Sequence, residues 1–254
     1  MGLQAEYIEK LIAADTRADK RTLNAGRDIT IETGIVQNAE GSARVRLGKT
    51  EVIAGIKMDV GEPFPDKPNE GVLIVSAELS PIASPHFEPG QPNEESIELA
   101  RVVDRGIRES KAIDTKKLMI KEKEKVWMVY VDIQIMNHDG NLIDAAGIAA
   151  IAALLTTEMP EYDGEKVVPE KRTGKLPLVC KPVPVTFAKI NGKLVIDPSF
   201  EEENAMGARL TVTTKDDGNI CALQKGGTEP LTLNEITTAF DLSIKQGAHI
   251  RKKL

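Results

Sequence analysis

Cysteine is nearly missing from this chain: Cys180 and Cys221 are the only two in 254 residues. They stand far apart, and no histidine sits at ligand spacing from either. A disulfide framework and a zinc site are both excluded on that count, and each cysteine reads as a packing residue. An excess of positive charge is also missing. The formal net charge of −6 argues against a protein that grips nucleic acid with its whole surface, and leaves room only for a local basic stripe. No apolar run approaches the ~20 residues that a membrane-spanning helix needs. The opening MGLQAEYIEK has no apolar core of the kind a signal peptide carries, so a cytoplasmic location with no membrane partner is the expectation. There is no glycine-rich phosphate loop, which leaves a small-molecule kinase without support.

What is present describes a globular chain. Hydrophobic residues make up 41% and charged residues 28%, and the length suits one large domain or two small ones with a proper core. Residues 4–14 read as a short amphipathic helix with Tyr7, Ile8, Leu11 and Ile12 on one side. Strand-like segments follow at 29–36, 42–47 and 50–60, with a turn at Glu40-Gly41. The run GEPFPDKPNEG at 61–71 is a loop, Val72–Leu79 a strand, and the proline-rich 80–93 a second loop. A helix then runs from 94 to about Ala112, with Asn93 as its N-cap and Glu94 and Glu95 suited to its positive end. A strand at Val126–Met136 and a turn at Asp139-Gly140 lead to a second helix, Ile143–Thr157. Its six alanines from 145 to 153 imply close packing on both sides.

Residues 158–182 read as a charged, proline-marked connection. The pattern then starts over, with one hairpin around Asn191-Gly192, another around Asp217-Gly218, and a last helix opened by a Thr232–Glu235 capping box. Two domains are therefore expected, 1–180 and 181–254, each of β-hairpins followed by a helix.

The helix at 94–112 carries Arg101, Arg105 and Arg108 within about 60° of one another on a helical wheel, while Leu99, Val102, Val103, Gly106 and Ile107 cluster opposite. Two readings fit this pattern. The arginines are a solvated face salt-bridged to Glu98, Asp104 and Glu109, or they are a row of guanidinium groups matched to phosphates and able to stack on bases. Pattern alone does not choose between them.

Several separated runs, in order, decide more. DTRADKRTLNAGRDITIETG (15–34), EGSARVRLGKTEVIAGI (40–56), LIVSAELSPIASPHFEPG (73–90), ELARVVDRGIRESKAID (98–114) and MNHDGNLIDAAGIAAIAALL (136–155) together resemble the RNase PH family. The resemblance is to its non-catalytic subunit in archaeal exosomes. It implies an α/β (α+β), two-layer RNase PH fold of two related β-hairpin/helix halves, the first like ribosomal protein S5 domain 2. It implies a catalytic RNase PH-like partner in a hexameric ring of three heterodimers, cap subunits with S1/KH or zinc-ribbon modules, and single-stranded RNA degraded from its 3′ end with phosphate. Arg101 and Arg105 match positions that line the RNA path in that family, and Arg108 shares their stripe.

Three features of the catalytic members are altered in this chain. Paired arginines before a Pro-Gly are replaced by Phe87 and Glu88, and a carboxylate repels RNA phosphate. A Gly-Ser/Thr-Arg phosphate turn is replaced by Gly140-Asn141-Leu142, which keeps backbone amides but loses the hydroxyl and the cation. Of two acids about six positions apart, Glu203 matches the first, but Arg209 stands at the second and cannot exchange a proton near neutral pH. His86 and His138, beside altered motifs, read as structural or exposed. The resemblance therefore implies an RNA-binding, non-catalytic subunit with no catalytic residue, metal or cofactor of its own. The alternative is a phosphorolytic exoribonuclease active by itself.

Overall fold

The computed structural model describes residues 3–254. In chain order the elements are α1 (Leu3–Ala13), β1 (Ile29–Thr33), β2 (Gly41–Leu47), β3 (Thr50–Gly61), β4 (Val72–Leu79), α2 (Glu94–Glu109), β5 (Met119–Lys121), β6 (Lys125–Asn137) and α3 (Leu142–Thr156). They continue with β7 (Glu158–Tyr162), β8 (Val167–Lys175), β9 (Val183–Ile190), β10 (Lys193–Ile196), α4 (Phe200–Ala205), β11 (Ala208–Thr214), β12 (Ile220–Gly227) and α5 (Leu233–Arg251).

The first sheet has the order β1-β2-β3-β6-β4, with β5 also paired to β6. All its pairings are antiparallel except β4 with β6, which are parallel and joined through α2. Val52, Ala54, Ile56 and Met58 of β3 alternate to one buried face, as do Val129, Val131, Ile133 and Ile135 of β6. That face lies under α2 and α3. The second sheet has the order β10-β9-β11-β12. All eight residues of β9 are buried, because the strand is covered on both sides. Val183, Val185 and Phe187 join the main core, while Ala188 and Ile190 pack on Ile8 and Ile12 of α1.

Helix α3 lies between the two sheets, against β2 and β3 on one side and β9 on the other. Every residue from Leu142 to Leu154 is buried. This is the physical meaning of its alanines: a helix pressed from both sides must be thin all round. Gly147 is one tight point, since a Cβ there would come within 2.6 Å of Pro184 Cγ.

The differences from the sequence-based expectations have local causes. Helix α2 ends at Glu109 rather than near Ala112, because Lys111 turns left-handed (φ 55°) and the Ala112 N–H bonds back to Ile107. Glu40-Gly41 is not a turn tip. Gly41 starts β2, where a Cβ would meet Ala153 O at 2.4 Å, and Glu40 is buried with its carboxylate accepting from Lys57 and from the Met58 N–H. Residues 158–182, read as a connection, hold the β7–β8 hairpin. It forms a two-stranded sheet of its own and β8 is largely exposed, so the burial that would have written alternation into its sequence is missing. Asp217-Gly218 lies within a five-residue loop between Thr214 and Ile220.

Helix α1 precedes the first sheet in sequence, yet it packs on the second. The segment after it is pinned there by Arg17, which is 2% exposed. Its Nε donates to Glu202 Oε1 at 2.8 Å, and its Nη atoms donate to the carbonyls of Ala25, Ile196 and Asp197. Residues 180–181 divide the two sheets, and we propose that boundary for the domains with α1 as an arm of the first laid on the second. Replacing Arg17 by alanine leaves the Glu202 carboxylate buried and unpaired. A loss of about 3–5 kcal/mol of unfolding free energy is expected, measured by urea denaturation of Arg17→Ala beside the parent chain.

Candidate nucleic-acid interface

Helix α2 is built as its sequence demands. The Asn93 side chain accepts from the Ser96 N–H at 2.9 Å, and Leu99, Val102, Val103, Gly106 and Ile107 are buried. Arg101, Arg105 and Arg108 are all exposed on the opposite side. Their surroundings differ. Arg101 makes no hydrogen bond or ion pair with the described residues. Arg105 leans towards the second sheet, its Nη1 donating to Gln224 Oε1 at 3.0 Å and its Nη2 to the Leu223 carbonyl at 3.3 Å. Arg108 leans the other way. Its Nε and Nη2 donate to the two Asp104 oxygens at 3.0 and 2.7 Å, and Nη2 also donates to the Leu73 carbonyl of β4 at 3.1 Å. The Asp104 hydrogen bond holds the Arg108 pKa above its ordinary value, against the pull of burial. The structure thus mixes the two readings of the stripe: Asp104 takes Arg108 as a salt-bridged face predicts, while Arg101 and Arg105 carry no acidic partner.

Glu98 is taken by a residue far away in sequence. Arg209 of β11 donates to it through Nη2 at 2.6 Å, and Gln224 of β12 donates to the same oxygen at 3.3 Å. The position that in the catalytic relatives is expected to hold an acid thus carries a guanidinium locked to helix α2.

The turn ahead of α3 is filled from within the chain. Gly140 and Asn141 have positive φ, 87° and 54°, and the Asn141 backbone N–H is a donor of the kind that turns offer to anions. Its acceptor is Oε1 of Glu203 on α4, at 2.9 Å. The chain's own carboxylate therefore sits where the resemblance places inorganic phosphate. The α4 entry also presses on the turn, since a Cβ on Gly140 would meet Phe200 N at 2.5 Å. Leu142 is buried and offers no polar group.

Beneath the turn lies a charged hub whose members are too far apart along the chain to be paired from sequence. Arg27 donates to both oxygens of Asp197, to the Asp139 carbonyl at 2.7 Å and to the Gly140 carbonyl at 3.2 Å. Burial works against the Asp197 carboxylate, but Arg27 outweighs it and keeps the pKa below the ordinary value. Asn141 Nδ2 donates to Asp197 and to Asp144, and Asp144 accepts from the backbone N–H and hydroxyl of Thr186 on β9. Burial pushes Asp144 up to about 7. Arg27 lies in the run 15–34, but nothing near it in sequence names an acid 170 positions later.

Phe87 is buried and stacks on His138 at 5.4 Å, while His138 meets Phe200 edge-on at 5.1 Å and the exposed His86 stacks on Phe200 at 5.8 Å. Burial lowers His138 to about 4. The altered loop before α2 is thus a packed aromatic cluster, with Glu88 exposed beside it.

Burial raises the Glu203 carboxyl to about 7, against the lowering effect of the Asn141 N–H, Arg209 and Arg27. The folded chain therefore holds a proton there that the unfolded chain has lost, and its stability contribution falls as pH rises through that interval. Glu203→Gln keeps an oxygen for Asn141 and removes the titration. The variant is expected to match the parent near pH 4 and to be the more stable at pH 8, measured by thermal melts across that range.

The comparisons with known proteins agree with this architecture. Residues 25–160 match the 3′ exoribonuclease family (RNase PH), domain 1, and residues 180–246 match its domain 2. The exosome complex component Rrp42 of Thermococcus gammatolerans is 48% identical over 100% of this chain and 94% of its own length. The component of the same name from Methanothermobacter thermautotrophicus is 49% identical over 94% of this chain and 89% of its own. Among solved structures, a chain of the Archaeoglobus fulgidus exosome with RNA bound to the active site superposes with a TM-score of 0.92 at 45% identity, covering 99% of this chain and 97% of that one. A chain of an archaeal exosome core gives a TM-score of 0.88 at 42% identity. No helix among the described residues is long and apolar enough to cross a membrane. With both of its domains matched in order along one chain, this protein belongs to the 3′ exoribonuclease family of RNase PH.

Proposed function

We propose that this chain is the non-catalytic RNase PH-like component of an archaeal exosome, pairing with a catalytic RNase PH-like subunit in a ring of three heterodimers. It completes the partner's active site and contributes to binding single-stranded RNA. Cap subunits with S1/KH or zinc-ribbon modules sit on that ring, and the whole works in the cytoplasm. Full-length likeness to exosome components supports the assembly. The observation that supports the absence of catalysis best is the Arg209–Glu98 pair, a guanidinium locked to α2 at the position where the catalytic relatives are expected to carry an acid. An arginine cannot exchange a proton near neutral pH, and the turn ahead of α3 offers the buried Leu142 in place of a cation while its Asn141 N–H is already bonded to Glu203.

RNA is bound, in this reading, by the arginines of α2. Arg101 has its full set of donors free of partners among the described residues. Arg105 is held at two points and keeps further donors for phosphate. Arg108 belongs to the same stripe with fewer donors to offer, since Asp104 and Leu73 take Nε and Nη2.

Two measurements test this. Purified chain alone, incubated with poly(A), phosphate and magnesium, is expected to release no ADP, and release at a rate comparable with the assembled ring overturns the reading. In the assembled ring, Arg101→Glu combined with Arg105→Glu is expected to weaken RNA binding by at least tenfold. It should also flatten the plot of log affinity against log salt by up to about two phosphate contacts. Ring assembly, followed by native mass measurement, should stay intact.

A further inference from the structure

Arg105 is the end of a chain of hydrogen bonds that starts at Arg209. Arg209 Nη2 donates to Glu98 Oε1 at 2.6 Å. Gln224 Nε2 donates to that same oxygen at 3.3 Å, and Gln224 Oε1 accepts from Arg105 Nη1 at 3.0 Å. Glu98 and Arg105 lie seven residues, about two turns, apart on α2, too far for direct pairing along one helix. The Gln224 amide bridges them because it has a donor at one corner and an acceptor at the other. A carboxylate at 224 would serve Arg105 and repel Glu98.

The sheet makes this possible. Arg209 pairs with Gly226 and Thr211 with Gln224 in the β11–β12 ladder. Gly226 has no side chain, and a Cβ there would come within 3.1 Å of Arg209 Nη2. The open position lets the guanidinium reach across β12 to α2. Arg209 Nε is buried and makes no hydrogen bond, so the side chain is committed to the Glu98 contact rather than to a network of its own.

We propose that Gln224 and Arg209 are positioning residues for Arg105, holding its guanidinium ready for RNA phosphate. Arg209 stands where the catalytic relatives are expected to carry an acid, so the lost catalytic position has become a support for the RNA contact. Arginine is among the side chains with most rotamer freedom to lose, and a guanidinium fixed beforehand loses less of it on binding. The proposal rests on Arg105 being an RNA contact.

The test uses the ring assembled with its catalytic partner and steady-state phosphorolysis of single-stranded RNA. Gln224→Ala and Arg209→Ala are each expected to raise KM about three- to tenfold, the cost of immobilising one such side chain, with kcat unchanged. Arg209→Lys, which still pairs with Glu98, is expected to return KM to within about twofold of the parent. In an Arg105→Ala background, Gln224→Ala is expected to add nothing, since the residue it positions is gone. Should Arg209→Ala fail to assemble, Gln224→Ala, a partly exposed strand position, carries the test alone. An unchanged KM in Gln224→Ala while Arg105→Ala raises it overturns the positioning role, and so does a full additional loss in the double variant. If Arg105→Ala itself leaves RNA affinity unchanged, the RNA-path reading fails and the positioning role falls with it.

Discussion

Helix α3 has a sheet on each side, and the consequences of that squeeze run through the molecule. Thirteen successive buried residues leave the helix no polar face, so its only chemistry lies at its N-terminal end. There Asn141 caps the helix and Asp144 reaches across to Thr186 of the second sheet. Arg27 then ties Asp197 to the carbonyls of the same turn. These groups are buried, and buried charges persist only when paired and hydrogen-bonded. The two halves are therefore held in one orientation by contacts that have direction as well as by apolar packing.

That fixed orientation brings three altered positions into one region. The loop before α2 has become an aromatic cluster of Phe87, His138 and Phe200, the phosphate turn is capped by Glu203, and Arg209 has turned to Glu98. Each change substitutes an internal contact for a contact to substrate. The stripe on α2 departs from this pattern, because Arg101 and Arg105 keep donors that no carboxylate of the chain satisfies.

Much of the fold was legible in the sequence where burial is one-sided. Strands β3 and β6 and helix α2 announced themselves because each has one wet and one dry face along most of its length. The alanines of α3 told of packing on both sides without naming what packs. The β7–β8 hairpin was not legible, since an exposed two-stranded ribbon leaves no alternation, and neither was the docking of α1 on the second sheet, since an amphipathic face does not say which apolar surface it meets.

By itself the sequence determined the arginine stripe and the repeated strand-and-helix pattern, since these depend on residue type and local spacing, and its resemblance to the RNase PH family marked the three altered positions. The tertiary structure alone decided what became of those positions. Glu203 and Asn141 are 62 residues apart, Arg209 and Glu98 are 111, and Arg17 and Glu202 are 185. Pairings over such separations are set by how α3 locks the two sheets together, and no local preference of the chain encodes them.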